Sequence, residues 1–515
     1  MASTTTVKLR PNTLNLDIPP SETGPDEYNW GYNCQFELGH AKKSMGWQKI
    51  FPDPGTPRPQ FLINVLDEGN NYWIAACNDA ILVTDTNAWF DITPTDGTWV
   101  APVGANQWTG GVLNGRVVLN NGQSNPWYWS GNTGTPMVAL PGWTAGVTCG
   151  AIRPFKYHLI AMNITTALGN FPDQVAWSSA AEPGGIPLEW IPSPTNDAGD
   201  LQLSATPVPI IDGAALRDQF VVYKQHSTYV LDYVGGTFVF SARKIFASSG
   251  ILARNCVAEY EARHYVLTDG DIIAHDGQSL QSIARDRTRN SVFDSISADN
   301  FDRSFVALNA KDNEIMFCYP VDPVSNPSLA LCYDVRTGSF GERAIGETRH
   351  MAWGTVTVTG SATDWDSATT SWDNAVGVWN AARYNAAEDG VLMADREWVY
   401  YLDASVDVDG VEQFFGVSKE FFDFGRPAEN KTVVRVWPKV NRATTTTTLS
   451  FRIAATDTPS EAISYGPYYY FDPQTDEYID AIISGRYISF QWAAYGGELG
   501  LVGFDVELNN SSSRY

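Results

Sequence analysis

Residues 256–284 read CVAEYEARHYVLTDGDIIAHDGQSLQSIA. The two inner segments are apolar and too short for helices. Asp269-Gly270 and Asp276-Gly277 supply the turns that follow them. A third, more polar segment closes the unit. Apolar inner strands with a polar outer strand describe a small antiparallel sheet that cannot cover both of its own faces. Stacking such sheets around an axis covers them.

The same unit recurs in both directions along the chain. FLINVLDEGNNYWIAACNDAILVTDTNAWFDIT at 61–93 reads as four short strands, with turns at Gly69-Asn70 and Asn78-Asp79. QWTGGVLNGRVVLNNGQSNPWYWSG at 107–131 turns at Asn114-Gly115 and Asn121-Gly122. Further units lie at 150–184, 218–246 and 303–343, and a less regular one runs from His350 to Gly425. Their period of roughly 45–55 residues is that of propeller blades. The expected architecture is all-β: a β-propeller of six or seven blades over 46–424, followed by a C-terminal β-sandwich over 425–515, where TVVRVWPKV, TTTTTLSFRIAATD, RYISFQWAAYGG and LGLVGFDVELNN read as long alternating strands. Val434, Val436 and Pro438 are expected to share one face, and Arg435 and Trp437 the other. Residues 1–45, broken by Pro11, Pro19, Pro20 and Pro25, read as an extended arm that docks on another domain or subunit.

Composition agrees. The chain of 515 residues holds 43 Gly and 29 Pro, which turns use and helices disfavour. One short helix is expected, near Arg287 to Ile296. The formal net charge of -24 argues against a groove that grips nucleic acid. It fits a soluble surface, or one that DNA passes without sticking. MASTTTVKLRPNTLNLDIPP lacks the apolar core of a secretory signal, and no run approaches a membrane span. The six cysteines form no CxxC pair and are expected to be buried and reduced. The scattered histidines offer no zinc spacing.

Catalytic motifs are missing. No GxGxxG or Walker loop precedes a helix, and no GxSxG elbow occurs. PTDGTW at 94–99 fails the spacing of a sialidase Asp box. Asp403, Asp407 and Asp409 fall short of a calcium loop and read as a solvated turn, as do Asp269 and Asp271. Arg285, Arg287 and Arg289 read as an interface or a solvated helix face. The expectation is a protein that is not an enzyme and needs no cofactor. Trp365, Trp372 and Trp379 recur every seven residues in WDSATTSWDNAVGVWNAARY. They read as surface or interface aromatics that pack on a blade or a neighbouring subunit, with sugar stacking as the other reading.

Several stretches resemble a known family. WSSAAEPGGIPLEW at 177–190, FVVYKQHSTYVLDYVGG at 220–236, ASSGILARNCVAEYEARHYVLTDGDIIAHDG at 247–277 and ALCYDVRTGSFGER at 330–343 occur in its order. PKV, SGRYISFQW and LGLVGFDVE resemble its closing sandwich. The family is the tail nozzle, or tubular tail protein, of short-tailed bacteriophages. The resemblance implies a virion tail protein assembled in the host bacterial cytoplasm. It implies a hexameric ring, with the sandwich as a platform around a DNA channel and the arm packed against it. An adaptor protein would sit above and tail fibres or spikes on the flank. Double-stranded DNA would pass without specific binding, and there would be no membrane span. The alternatives are a carbohydrate-binding adsorption protein and a propeller adhesin or hydrolase unrelated to phage.

Overall fold

The computed structural model of the chain describes residues 4–55, 58–97, 99–102, 108–236, 239–356, 388–442 and 444–509. Seven four-stranded antiparallel units follow one another along the described residues. Their innermost strands are Pro59–Asp67, Thr109–Leu113, Thr148–Phe155, Ile210–Leu216, Val257–Tyr260, Phe305–Asn309 and His350–Val356. Each packs beside the next, and His350–Val356 returns to Pro59–Asp67, so the circle closes. The architecture is a seven-bladed propeller.

Position in the blade sets the burial pattern. The middle strands Glu314–Tyr319 and Ile81–Thr84 are buried at every residue. Neighbouring blades cover both their faces, so the alternation of a one-sided strand gives way to an unbroken apolar run. The outer strand Phe240–Phe246 exposes Ser241 to Lys244. Turn chemistry follows the sequence closely. Asn114 and Gly115 both take positive φ (51° and 78°) between the paired residues Leu113 and Arg116, the geometry of a two-residue hairpin turn. In the first blade the turn is Glu68-Gly69, one residue before the expected Gly69-Asn70.

One guanidinium ties four blades together near the axis. Arg153, on the innermost strand of the third blade, donates to both carboxylate oxygens of Asp212 on the fourth (2.9 and 2.6 Å). It also donates to the Asn255 side chain leading into the fifth blade (2.7 Å) and to the Gly110 carbonyl of the second (3.0 Å). Asp212 is fully buried and accepts two backbone N–H groups as well, from Gly213 and Asn255. A buried ion pair holds only when its remaining hydrogen-bonding capacity is filled, and here it is.

The seventh blade takes its outer strand, Gly46–Lys49, from the start of the chain. The residues before it are woven into the C-terminal half. The outer strand of the sixth blade, Ser339–Ala344, meets Cys34–Glu37. The sheet then continues through His40–Lys43, Gly500–Asn509 and Lys431–Val440 to Ile479–Gly485, with Thr4–Leu9 also on Gly500–Asn509. Ten strands thus form one sheet shared by propeller and sandwich. The facing sheet orders Tyr469–Phe471, Leu449–Thr456, Tyr487–Tyr495, Phe414–Phe422 and Trp30–Tyr32. Between the two sheets lie Phe451, Phe490, Trp492 and Phe504, all buried.

Two further details depart from the sequence reading. Phe414–Phe422 lies in the sandwich, before residue 425, because FFGVSKEFF alternates like any half-buried strand and carries no mark of which lobe it joins. A β-bulge between Val433 and Arg435 turns Val433 inward with Val436 and Pro438, so Val434 leaves the expected face. The expected helix is Arg289–Ser295, and Asp17 of the arm accepts the N–H groups of Asn290 and Ser291 at its start (3.0 and 2.9 Å).

Gly46 has no room for a side chain: a Cβ there would stand 2.0 Å from the Asp407 carbonyl oxygen. Gly46→Ala is expected to cost about 2–4 kcal/mol in denaturant unfolding, through displacement of the closing strand. Arg153→Leu, which strands the Asp212 charge, is expected to cost about 3–5 kcal/mol. Loss of less than about 1 kcal/mol in either would show that the circle is held elsewhere.

Candidate functional site

The groups with chemistry concentrate where the two lobes join. Arg343, on the sixth blade's outer strand, is fully buried. It donates to Asp403 of the seventh blade (2.6 Å) and to the Met45 carbonyl at the end of the arm. Asn309 bridges Asp403 and Asp312, at 3.0 Å each. Glu314 accepts from Gln35 of the arm (2.9 Å). Asp403 is therefore the half-buried ion-pair partner of Arg343 and not the solvated turn read from DASVDVDG. Asp409 of the same segment pairs with Lys49 (3.1 Å). Around this seam opens a cavity of about 320 Å³, lined by Glu37, Lys42, Asp312, Glu314, Asn441 and Glu498 among others.

A second junction holds the arm. Lys419 of the sandwich is fully buried. It donates to the carbonyls of Thr23, Gly24 and Glu27 and to the Thr23 hydroxyl, at 2.6–3.2 Å. Burial lowers its ammonium to about 8, and these four oxygens replace the lost water. Of Arg287 and Arg289, read as an interface or a solvated helix face, Arg287 serves the same packing. The Arg287 carbonyl accepts from Leu16 and Asp17, and Arg289 donates to the Gly270 carbonyl. Neither Lys419 nor Arg343 stood out in the sequence. The one available signal was a lone cation inside an apolar strand, as in GVSKEFF.

Histidine and cysteine do structural work. The Tyr223 hydroxyl lies 2.7 Å from both His264 Nδ1 and His275 Nε2. His264 Nε2 contacts the Ala215 carbonyl, and the Gly277 N–H donates to His275 Nδ1. Every ring nitrogen is thus occupied. Burial lowers His264 to about 4 and His275 to about 3, so both rings are neutral near pH 7. All six cysteines are free and buried. Among the described residues no group of three or more His, Cys, Asp or Glu is placed to hold a metal ion. No helix among them is long and apolar enough to cross a membrane.

The outer face of the five-stranded sheet is aromatic. Phe414 lies 6.4, 6.1 and 5.1 Å, ring to ring, from Trp30, Tyr32 and Tyr495. On the same sheet Arg452 sits over Tyr465 and Tyr468. Trp365, Trp372 and Trp379 lie outside the described residues. The segment containing them joins His350–Val356 to Glu388–Ala394, whose ends Val356 and Glu388 are paired.

No family model matches the chain, and no curated protein matches it. Among solved structures it is similar to the AfRom2 CNH domain (10% identity, 70% of this chain and 97% of that one, TM-score 0.34). It is also similar to the WD40 β-propeller domain of Doa1 (9%, 69% and 96%, 0.35). A third is apo AztD from Citrobacter koseri (12%, 56% and 86%, 0.31). The fold assignment rests on the strand pairing of the chain itself.

Burial lifts the carboxyl of Glu342, at the seam between lobes, from 4.5 to about 7. Its folded value lies above its unfolded one. Its contribution to stability is therefore complete below about pH 4.5 and lost as the pH rises through about 7. Glu342→Gln is expected to stabilise the protein at pH 8 by about 1–3 kcal/mol and to make little difference near pH 4. Denaturant unfolding at both pH values checks this, and an equal effect at each would contradict it.

Proposed function

We propose that the chain is a virion structural protein that forms the ring-shaped tail nozzle of a short-tailed phage, a conduit for DNA ejection and a docking site for fibres or spikes. The observation that carries the proposal is the sheet shared by the propeller and the sandwich. A conduit must keep its lobes in fixed relation while a polymer passes. Ten hydrogen-bonded strands, with the Arg343–Asp403 pair at the seam, join the two lobes. The ordered motifs at 177–190, 220–236, 247–277 and 330–343 support the same reading. So does the charge of -24, since like charge along a lumen keeps duplex DNA from sticking. In this reading six copies close the ring beneath an adaptor protein. The protein acts in the virion tail after assembly in the host bacterial cytoplasm, without catalysis or a cofactor.

A second reading, a carbohydrate-binding adsorption protein, is favoured by the ring cluster of Trp30, Tyr32, Phe414 and Tyr495, because sugar faces pack on aromatic rings. Gold-antibody labelling of intact virions, viewed by negative-stain electron microscopy, separates the two. The nozzle proposal predicts label at the distal end of a short tail. Label on fibres would move the role to adsorption, and virions without label would overturn the virion assignment.

A further inference from the structure

The sandwich portion of the ten-stranded sheet ends on two strand edges. Among the described residues, Ile479–Gly485 pairs only with Lys431–Val440, and Thr4–Leu9 only with Gly500–Asn509. These two edges lie on opposite sides of one sheet: Val506 faces Val436 on one side and Val7 on the other. Each of the three steps from Ile479–Gly485 to Thr4–Leu9 is antiparallel, so the edge strands run in opposite directions. Two identically oriented copies side by side would therefore bring these edges together as an antiparallel pair.

The edges also match in chemistry. Residues 472–485, DPQTDEYIDAIISG, carry four acids and no base. Residues 4–10, TTTVKLR, carry two bases and no acid. Ile479 and Ala481 point into the core on one edge, and Leu9 does so on the other. The outward residues are Asp480, Ile482 and Ser484 on the first edge and Thr6 and Lys8 on the second. Exposed edges in soluble proteins are normally blunted by Lys, Pro or an inward charge. Ile479–Gly485 has neither Lys nor Pro; its one charge, Asp480, is exposed and paired with Arg435 (2.9 Å), and it leaves Ile482 77% exposed.

We propose that copies of this chain associate head to tail, with Ile479–Gly485 of one copy adding as a strand to Thr4–Leu9 of the next. Such a contact uses two different surfaces of the same molecule, and repetition closes into a ring when the rotation per copy allows. The inference names the ring contact of the nozzle and takes its biological meaning from that proposal.

The test uses the full-length chain. Native mass spectrometry across a concentration series is expected to show oligomers that weaken as salt rises. Ile482→Lys, an exposed change that restores ordinary edge protection, is expected to weaken association at least tenfold and leave the unfolding temperature unchanged. Thr6→Cys combined with Ile482→Cys or Ser484→Cys is expected to give disulfide-linked multimers under oxidising conditions. Oligomers that persist in Ile482→Lys, or that form without either cross-link, would overturn the edge pairing. A chain that remains monomeric at every concentration would overturn it as well. The virion labelling stands apart from all these outcomes, so failure of the edge contact and failure of the nozzle proposal are distinguishable.

Discussion

A propeller blade buries both faces only if the circle around it is complete, and here the circle is completed by four residues from the start of the chain. Gly46–Lys49 hydrogen-bonds to Val399–Ser405 and so closes the seventh blade next to the first. The rest of the architecture follows from that placement. Whatever precedes residue 46 must leave the propeller at the outer edge of its last blades, and there it meets the C-terminal strands. Cys34–Glu37 and His40–Lys43 fill the gap between Ser339–Ala344 and Gly500–Asn509, so blade and sandwich share one hydrogen-bonded sheet. The buried cations Arg343 and Lys419 fix the two sides of that weld by donating to main-chain and carboxylate oxygens of the arm and the blades.

Much of this is legible in the sequence because blades are local. YEARHYVLTDGDIIAHDGQSL contains its own strands and turns, and Asn114-Gly115 names its own hairpin. The parts that escape are long-range. FFGVSKEFF has the alternation of a strand but nothing that assigns it to the sandwich sheet. TTTVKL and CQFE look like pieces of a proline-broken arm until their partners, some 500 and 300 residues away, are known. The bulge that reorients Val433 and Val434 is a property of pairing, so one strand read alone cannot reveal it. Asp403 escapes for a similar reason: its partner Arg343 lies 60 positions earlier, on another blade.

The titratable residues tell a consistent story. His264, His275 and Tyr223 satisfy one another inside the blades, the cysteines fill apolar space, and Asp403 and Glu314 at the seam meet Arg343 and Gln35. The first group acts within the propeller, and the seam contacts hold the lobes together.

The most direct test of the nozzle proposal is an electron cryo-microscopy map of virions that contain this chain. The account predicts a ring of six copies at the distal tail into which the propeller and sandwich fit together, without any change in their relative placement. A tail whose distal density cannot hold this chain, or one in which the two lobes occupy separate positions, would contradict it.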